Sequence, residues 1–254
     1  MKRIVAAFMM FTRIPVWRLY SLSSKDCGGA IVFWPLAGWI TGGVTAIAIY
    51  FLSMIVYPWV AVALALSLRA WLTSGLHEDG LADFFDGFGG GRDKDSILAI
   101  MKDSHIGTYG ALALILYYLT VVGLLTLLPP IVAAMAVFAA DPFCKFCGAQ
   151  IVNFLPYARA EGAKNKVKYQ MMTPIDIAIT IVTGILPMLP LCFLCPIYAD
   201  SVLAPFIIFA ILVAFMKRKI GGYTGDCCGA TFLLCELSMF FAIVVIYSCL
   251  VSTI

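Results

Sequence analysis

Charge is scarce in this chain: 12% of its 254 residues are Asp, Glu, Lys or Arg. A soluble domain carries about a quarter of its residues as charges, so a water-soluble globular fold is all but excluded. Disorder, collagen-like repeats and coiled coils fail on the same composition. No apolar run followed by a small-residue cleavage site opens the chain, because Pro15, Trp17 and Arg18 interrupt it. A cleaved signal peptide is therefore not expected. Internal repeats and low-complexity stretches are absent too, and the chain reads as a single domain over residues 1–254. The net charge of +3 is too small to point to nucleic acid. What remains is apolar: 63% of the residues are hydrophobic, as in an all-α, polytopic transmembrane helix bundle.

A bilayer core about 30 Å thick needs roughly 20 apolar helical residues per crossing. Such runs fall at 31–55, 57–75, 107–128, 130–155, 174–198, 202–216 and 229–254. Tyr57-Pro58, Pro129-Pro130 and Ala199-Asp200-Ser201 punctuate them. About seven spans are expected, or six if the short run at 202–216 is re-entrant. Of 17 Lys and Arg, 15 fall in four polar segments: residues 1–30, 76–106, 156–173 and 217–219. The intervening turns hold none. Under the positive-inside rule this places the N-terminus and all four segments in the cytoplasm, in a cell membrane crossed several times.

Nine cysteines give no extracellular framework. The pairs Cys144–Cys147 and Cys192–Cys195 sit inside apolar runs; a metal or redox role would need His, further Cys or polar neighbours converging on them, and packing is the better reading. Arg69, Asp141, Lys145 and Glu236 also lie within spans. They are expensive in hydrocarbon and are expected to face the bundle interior or pair with one another.

The chemistry is concentrated in the segment from Gly75 to Arg92. Glu78, Asp79, Asp83 and Asp86 place four of the fourteen acidic residues within nine positions. On a helix turning about 100° per residue, Asp79, Asp83 and Asp86 fall within roughly 60° of arc, whereas His77 and Glu78 point elsewhere. Clustered carboxylates at a membrane border repel one another, and a hard divalent cation removes the conflict. All-oxygen ligation suits Mg²⁺, with Mn²⁺ as a substitute, and Mg²⁺ is commonly shared with substrate phosphates. Leu81, Phe84, Phe85 and Phe88 give the same segment an apolar face, unlike a solvated acidic loop. Two further islands fall on the same side. Lys102, Asp103, Ser104 and His105 precede a span with Gly107 and Gly110, an arrangement that favours an anion at a helix N-terminus. Gly221-Gly222-Tyr223-Thr224-Gly225-Asp226 precedes the last span. Together these residues describe metal-assisted phosphoryl transfer.

The order and spacing of these motifs are also familiar. His77-x-Asp79-Gly80-Leu81-Ala82-Asp83-x-x-Asp86-Gly87 is followed by Ile100-Met101-Lys102-Asp103-Ser104-x-Ile106-Gly107-Thr108-Tyr109-Gly110. Leu155-Pro156-Tyr157-Ala158-Arg159 and Gly221-Gly222-x-Thr224-Gly225-Asp226-x-x-Gly229-Ala230 come next, and Thr12-Arg13-Ile14-Pro15-Val16 lies near the start. Over nearly its whole length the chain resembles the adenosylcobinamide-GDP ribazoletransferase family, also called cobalamin (5'-phosphate) synthase. Glu78 and His105 depart from the residues usual there.

The resemblance implies a membrane enzyme of late cobalamin biosynthesis. It would join adenosylcobinamide-GDP to α-ribazole or its 5'-phosphate, release GMP and require Mg²⁺. Asp79, Asp83 and Asp86 would hold the metal, and Asp83 or Asp86 would accept the hydroxyl proton. His77 is a base or a residue behind the aspartates, the latter favoured because the helix turns it away. Lys102, Arg13 and Arg159 are candidate phosphate contacts, and Asp103, Ser104, Thr224, Gly225 and Asp226 complete or orient the site. Partners are the two substrates and the bilayer, with an oligomer and other cobamide-assembly enzymes open. One rival is a CDP-alcohol phosphotransferase of lipid synthesis, although Asp83 stands where that family usually has Arg. The other is a cation-coupled transporter, although the carboxylates gather at one membrane face rather than the midplane.

Overall fold

The computed structural model describes residues 1–16, 20–159 and 169–252. Arg18, Lys164, Lys166 and Lys168, counted above in the polar segments, lie outside the described residues, as do all of 160–168. No β-strand occurs among the described residues. The helices run α1 (Lys2–Phe11), α2 (Ser24–Gly28), α3 (Trp34–Leu52), α4 (Pro58–Leu72), α5 (Leu76–Gly90), α6 (Lys94–Ile100), α7 (Thr108–Thr126), α8 (Pro130–Phe154), α9 (Pro174–Ile185), α10 (Leu189–Leu194), α11 (Leu203–Ile220) and α12 (Gly225–Ser252).

Six helical stretches are long and apolar enough to cross a bilayer: Ala30–Leu52, Thr108–Thr126, Pro130–Phe154, Pro174–Leu194, Pro196–Ile220 and Gly225–Ser252. The short crossing is not the one expected. Cys195 takes an extended backbone before Pro196, so the fifth stretch ends early and the sixth gains a 3₁₀ turn that makes it 25 residues long. The residue before a proline disfavours helix, which is why the break falls there rather than at Ala199-Asp200-Ser201. The short helix is α4 instead. Its 15 residues reach only about 22 Å at 1.5 Å each, and the chain then bends by 91° into α5.

Two consecutive residues with positive φ make that bend, Ser74 (59°) and Gly75 (65°). The Gly75 N–H donates to Ala70 O at 2.7 Å, closing the end of α4 with a left-handed cap. A left-handed serine costs about 1 kcal/mol; the glycine beside it costs little. After the bend, α5 lies across the end of the bundle. A Cβ on Gly80 would stand 2.9 Å from Asp226 O at the start of α12. Further along α5, Asp86 meets Gly107 and Gly110 at the start of α7. The acidic helix thus runs at the level where two spans, α7 and α12, begin.

Within the bundle, small residues bring backbones together. Gly38 and Gly42 let α3 approach α8 so closely that added Cβ atoms would stand 2.8 Å and 2.9 Å from Asp141 atoms. The intramembrane charges pair, as expected. Arg69 on α4 bonds both carboxylate oxygens of Glu236 on α12, at 2.5 Å and 2.9 Å. The Tyr117 hydroxyl on α7 donates to Glu236 at 2.6 Å. Lys145 meets Asp141 at 2.5 Å and the Thr41 hydroxyl at 2.6 Å, and Arg69 stands 3.7 Å from Asp141. Two cations and two carboxylates, all buried, cancel and tie five helices together. All nine cysteines are free thiols, and Cys144 and Cys147 are packed in the core.

Candidate active site

The polar segments converge at the end of the bundle that α5 crosses. A cavity of about 240 Å³ is lined there by Asp79, Asp83, Lys102, Asp103, Ser104, Arg159 and Asp226. Each wall has a local cause. Asp79 and Asp83 lie one turn apart on α5. Lys102, Asp103 and Ser104 follow α6, whose start is fixed by a capping box between Asp93 and Ser96. Arg159 is placed by a short backbone pairing, in which Ala158 N–H donates to Tyr223 O at 2.8 Å and Tyr223 N–H to Pro156 O at 2.9 Å. Only a glycine fits at 222, because a Cβ there would collide with Pro156 O.

This pairing sets Arg159 against Asp226. Its Nη2 donates to Asp226 Oδ2 at 3.1 Å, and the Thr224 hydroxyl donates to the same oxygen at 3.1 Å. Asp226 is thereby oriented by two donors at the mouth of the last span. Asp83 is half-buried, with Asp226 and Asp79 close by. Burial, then the negative charges of Asp226 and Asp79, push its carboxyl up to about 7 against the weaker pull of Arg159. Asp103 is exposed and held below the usual carboxylate range by hydrogen bonds from His105, whose Nδ1 lies 2.7 Å from it.

Not every residue singled out in the sequence comes to this cavity. Asp86 shares the helical face of Asp79 and Asp83, yet one turn further on that face meets α7. Its carboxylate accepts from Gly107 N at 2.7 Å and from Gly110 N at 2.9 Å. Asp86 therefore caps α7, neutralising amide donors that have no partner within their own helix. Arg13 is also elsewhere: it is exposed, with its guanidinium 5.5 Å from the centre of the Trp71 ring. Glu78 is buried and accepts from the Tyr118 hydroxyl at 3.0 Å.

His77 and Gly225 line a second, larger cavity of about 470 Å³, which shares Asp79 and Asp226 with the first. Phe11, Trp34, Tyr157 and Tyr169 complete its aromatic wall. His77 is buried between Trp34 and Phe232, with ring centres 5.4 Å and 5.0 Å away. Sequence reasoning passed over Trp34 and Tyr169; the one available signal was a tryptophan, with its polar N–H, opening an apolar span.

Asp86→Ala should lower stability by about 1–3 kcal/mol, the cost of leaving buried amides unpaired. Asp86→Asn keeps an acceptor oxygen and should lose less. Thermal unfolding in detergent separates the two.

Among the described residues no three His, Cys, Asp or Glu side chains already gather closely enough to enclose a metal ion. The carboxylates fit one that is shared with a ligand. Asp79, Asp83 and Asp226 are hard oxygen donors bordering one cavity, and the mutual repulsion that raises Asp83 is the conflict a divalent cation offsets.

Comparison with known proteins gives the family. The family model described as cobalamin-5-phosphate synthase matches residues 3–244. A protein of Leptospira interrogans named adenosylcobinamide-GDP ribazoletransferase is 34% identical over 236 residues, covering 89% of each chain. Proteins of the same name from Shewanella sp. (strain W3-18-1) and Shewanella baltica (strain OS185) are each 36% identical, over 97% and 95% of this chain. No solved structure matches. With the family match running through every segment that lines the charged cavity, the chain belongs to the cobalamin-5-phosphate synthase family of enzymes.

Proposed function

We propose that this chain transfers the adenosylcobinamide-phosphate group of adenosylcobinamide-GDP to ribazole or its 5'-phosphate, releasing GMP, with Mg²⁺ as cofactor. The observation that carries this reading is the meeting of Asp79, Asp83, Asp226, Lys102 and Arg159 around one cavity. Cations suited to phosphate and carboxylates suited to metal face each other there.

Lys102 and Arg159 would bind the diphosphate of the donor. A ribose hydroxyl of the acceptor attacks the phosphorus that carries cobinamide, the bond from that phosphorus to the GMP phosphate breaks, and GMP leaves. Asp83 is the residue that accepts the hydroxyl proton, because Asp86 is committed to the amides of α7. Thr224 and Arg159 fix the orientation of Asp226, and Asp103 and Ser104 shape the cavity rim. Asp79, Asp83 and Asp226 would hold Mg²⁺, which supplies positive charge against the diphosphate and the departing GMP. The basic residues at this end of the bundle, including Lys217, Arg218 and Lys219 at the end of α11, support a cytoplasmic site in the cell membrane under the positive-inside rule.

The test is a donor comparison on purified protein. GMP release from adenosylcobinamide-GDP in the presence of ribazole is expected, with no CMP release from CDP-diacylglycerol in the presence of an alcohol acceptor. The reverse result would assign the site to lipid synthesis.

A further inference from the structure

The larger, aromatic cavity has no part in the phosphate chemistry above. At about 470 Å³ it falls within the range of about 300–1,000 Å³ occupied by small-molecule sites. Its wall is drawn from separate parts of the chain: Phe11 from α1, Trp34 from α3, His77 from α5, Tyr157 and Tyr169 from the connection between α8 and α9. Two of these side chains carry a buried polar atom with no partner among the described residues, Trp34 Nε1 and His77 Nε2. Both residues are at least nine-tenths buried. Leaving such an atom unpaired is costly, and two in one wall suit a site completed by a ligand. An indole N–H donates, and an imidazole nitrogen donates or accepts according to tautomer. Flat rings bearing a heteroatom satisfy both these needs and the stacking surface around them.

The charge distribution selects among flat ligands. Among the described lining residues the only charged groups are Asp79 and Asp226, which form the divide shared with the smaller cavity. Lys102 and Arg159 lie on the other side of that divide. A diphosphate belongs with the cations, and an uncharged base belongs with the aromatics. The wall behind His77 is also rigid. Phe232 backs the imidazole and is itself held 4.8 Å from Lys145 Nζ and 5.8 Å from Arg69 Cζ in the buried ion network.

Resting on the function proposed above, we infer that the aromatic cavity seats the heteroaromatic base of the acceptor nucleoside. Its ribose hydroxyls then reach the Asp79–Asp226 divide from the side opposite the diphosphate. The guanine of the donor binds elsewhere.

Full-length protein in nanodiscs is titrated by calorimetry with ribazole, with free dimethylbenzimidazole and with GDP. In the wild type the free base should displace ribazole and leave GDP affinity unchanged. Tyr169→Ala should weaken ribazole binding by about tenfold with GDP binding retained, the retained binding also showing that the variant is folded. Displacement of GDP rather than ribazole by the free base overturns the assignment without any variant. So does unchanged ribazole affinity in Tyr169→Ala. Wild-type protein that binds neither ribazole nor GDP overturns the functional reading itself, a result distinct from these two.

Discussion

Asp83→Asn is expected to lower the rate of ribazole transfer by about 10²- to 10⁴-fold, the range a positioned acid–base group contributes. Three properties make this the most damaging substitution at the site. Asp83 is half-buried, it borders the cavity that brings Lys102 and Arg159 together, and among the described residues no backbone amide claims its oxygens as Gly107 and Gly110 claim those of Asp86. Asparagine preserves shape but cannot accept the proton or supply a full negative charge to a metal. The protein should insert and unfold like the wild type, because relieving three-way carboxylate repulsion costs the fold nothing. Asp83 also gives the site a pH signature. Its carboxyl is pushed up to about 7 by burial and by Asp226 and Asp79, so below that pH it is neutral. A protonated carboxyl must lose its proton to ligate, and apparent Mg²⁺ affinity should fall by about tenfold per pH unit below about 7. Above that pH affinity should level off. In Asp83→Asn the dependence should vanish, which a Mg²⁺ titration of GMP release at several pH values would measure.

Glu236→Ala is expected to destabilise the protein by about 3–5 kcal/mol, the cost of stripping a buried charge of its partner. Arg69 would lose both of its short contacts, and Tyr117 would lose its acceptor. The effect should spread, since Arg69 also stands beside Asp141 and thereby Lys145. Removing both partners is gentler: Arg69→Met combined with Glu236→Leu leaves no orphaned charge and should recover much of the loss. Unfolding midpoints in detergent of the two single variants and the double variant form the required cycle. A double variant no more stable than the worse single one would show that the pair matters for packing rather than for charge.

Parts of this architecture are written locally and parts are not. Apolar runs of about 20 residues suffice to locate spans because lipid demands them wherever they occur. Asp141 and Lys145 are four residues apart on one helix, so their pairing follows from helical geometry alone. The partner of Arg69 is 167 residues away, and no local pattern specifies it. The aspartate triplet shows the same limit at the site. Spacing places Asp79, Asp83 and Asp86 on one face, but it does not say what that face meets at each turn. Asp79 and Asp83 meet a cavity, whereas Asp86 meets the amino end of α7, whose amides lie 21 and 24 residues further along the chain. The bend that sets α5 across the bundle does have a local signal in Ser74-Gly75, which a search for continuous apolar runs passes over. The aromatic cavity has little beyond the tryptophan that opens α3, because Phe11, Trp34, Tyr157 and Tyr169 become neighbours only once α1, α3 and the approach to α9 are assembled.

The proposed function requires carboxylates at one end of the bundle to hold a divalent cation for the splitting of a diphosphate. Purified protein stripped with a chelator, supplied with adenosylcobinamide-GDP and ribazole, and assayed for GMP tests it most directly. No GMP should form until Mg²⁺ is restored, and its release should then saturate with Mg²⁺ in the wild type but not in Asp79→Asn or Asp226→Asn. Full GMP release in the chelated protein, or unaltered Mg²⁺ dependence in both variants, would contradict it.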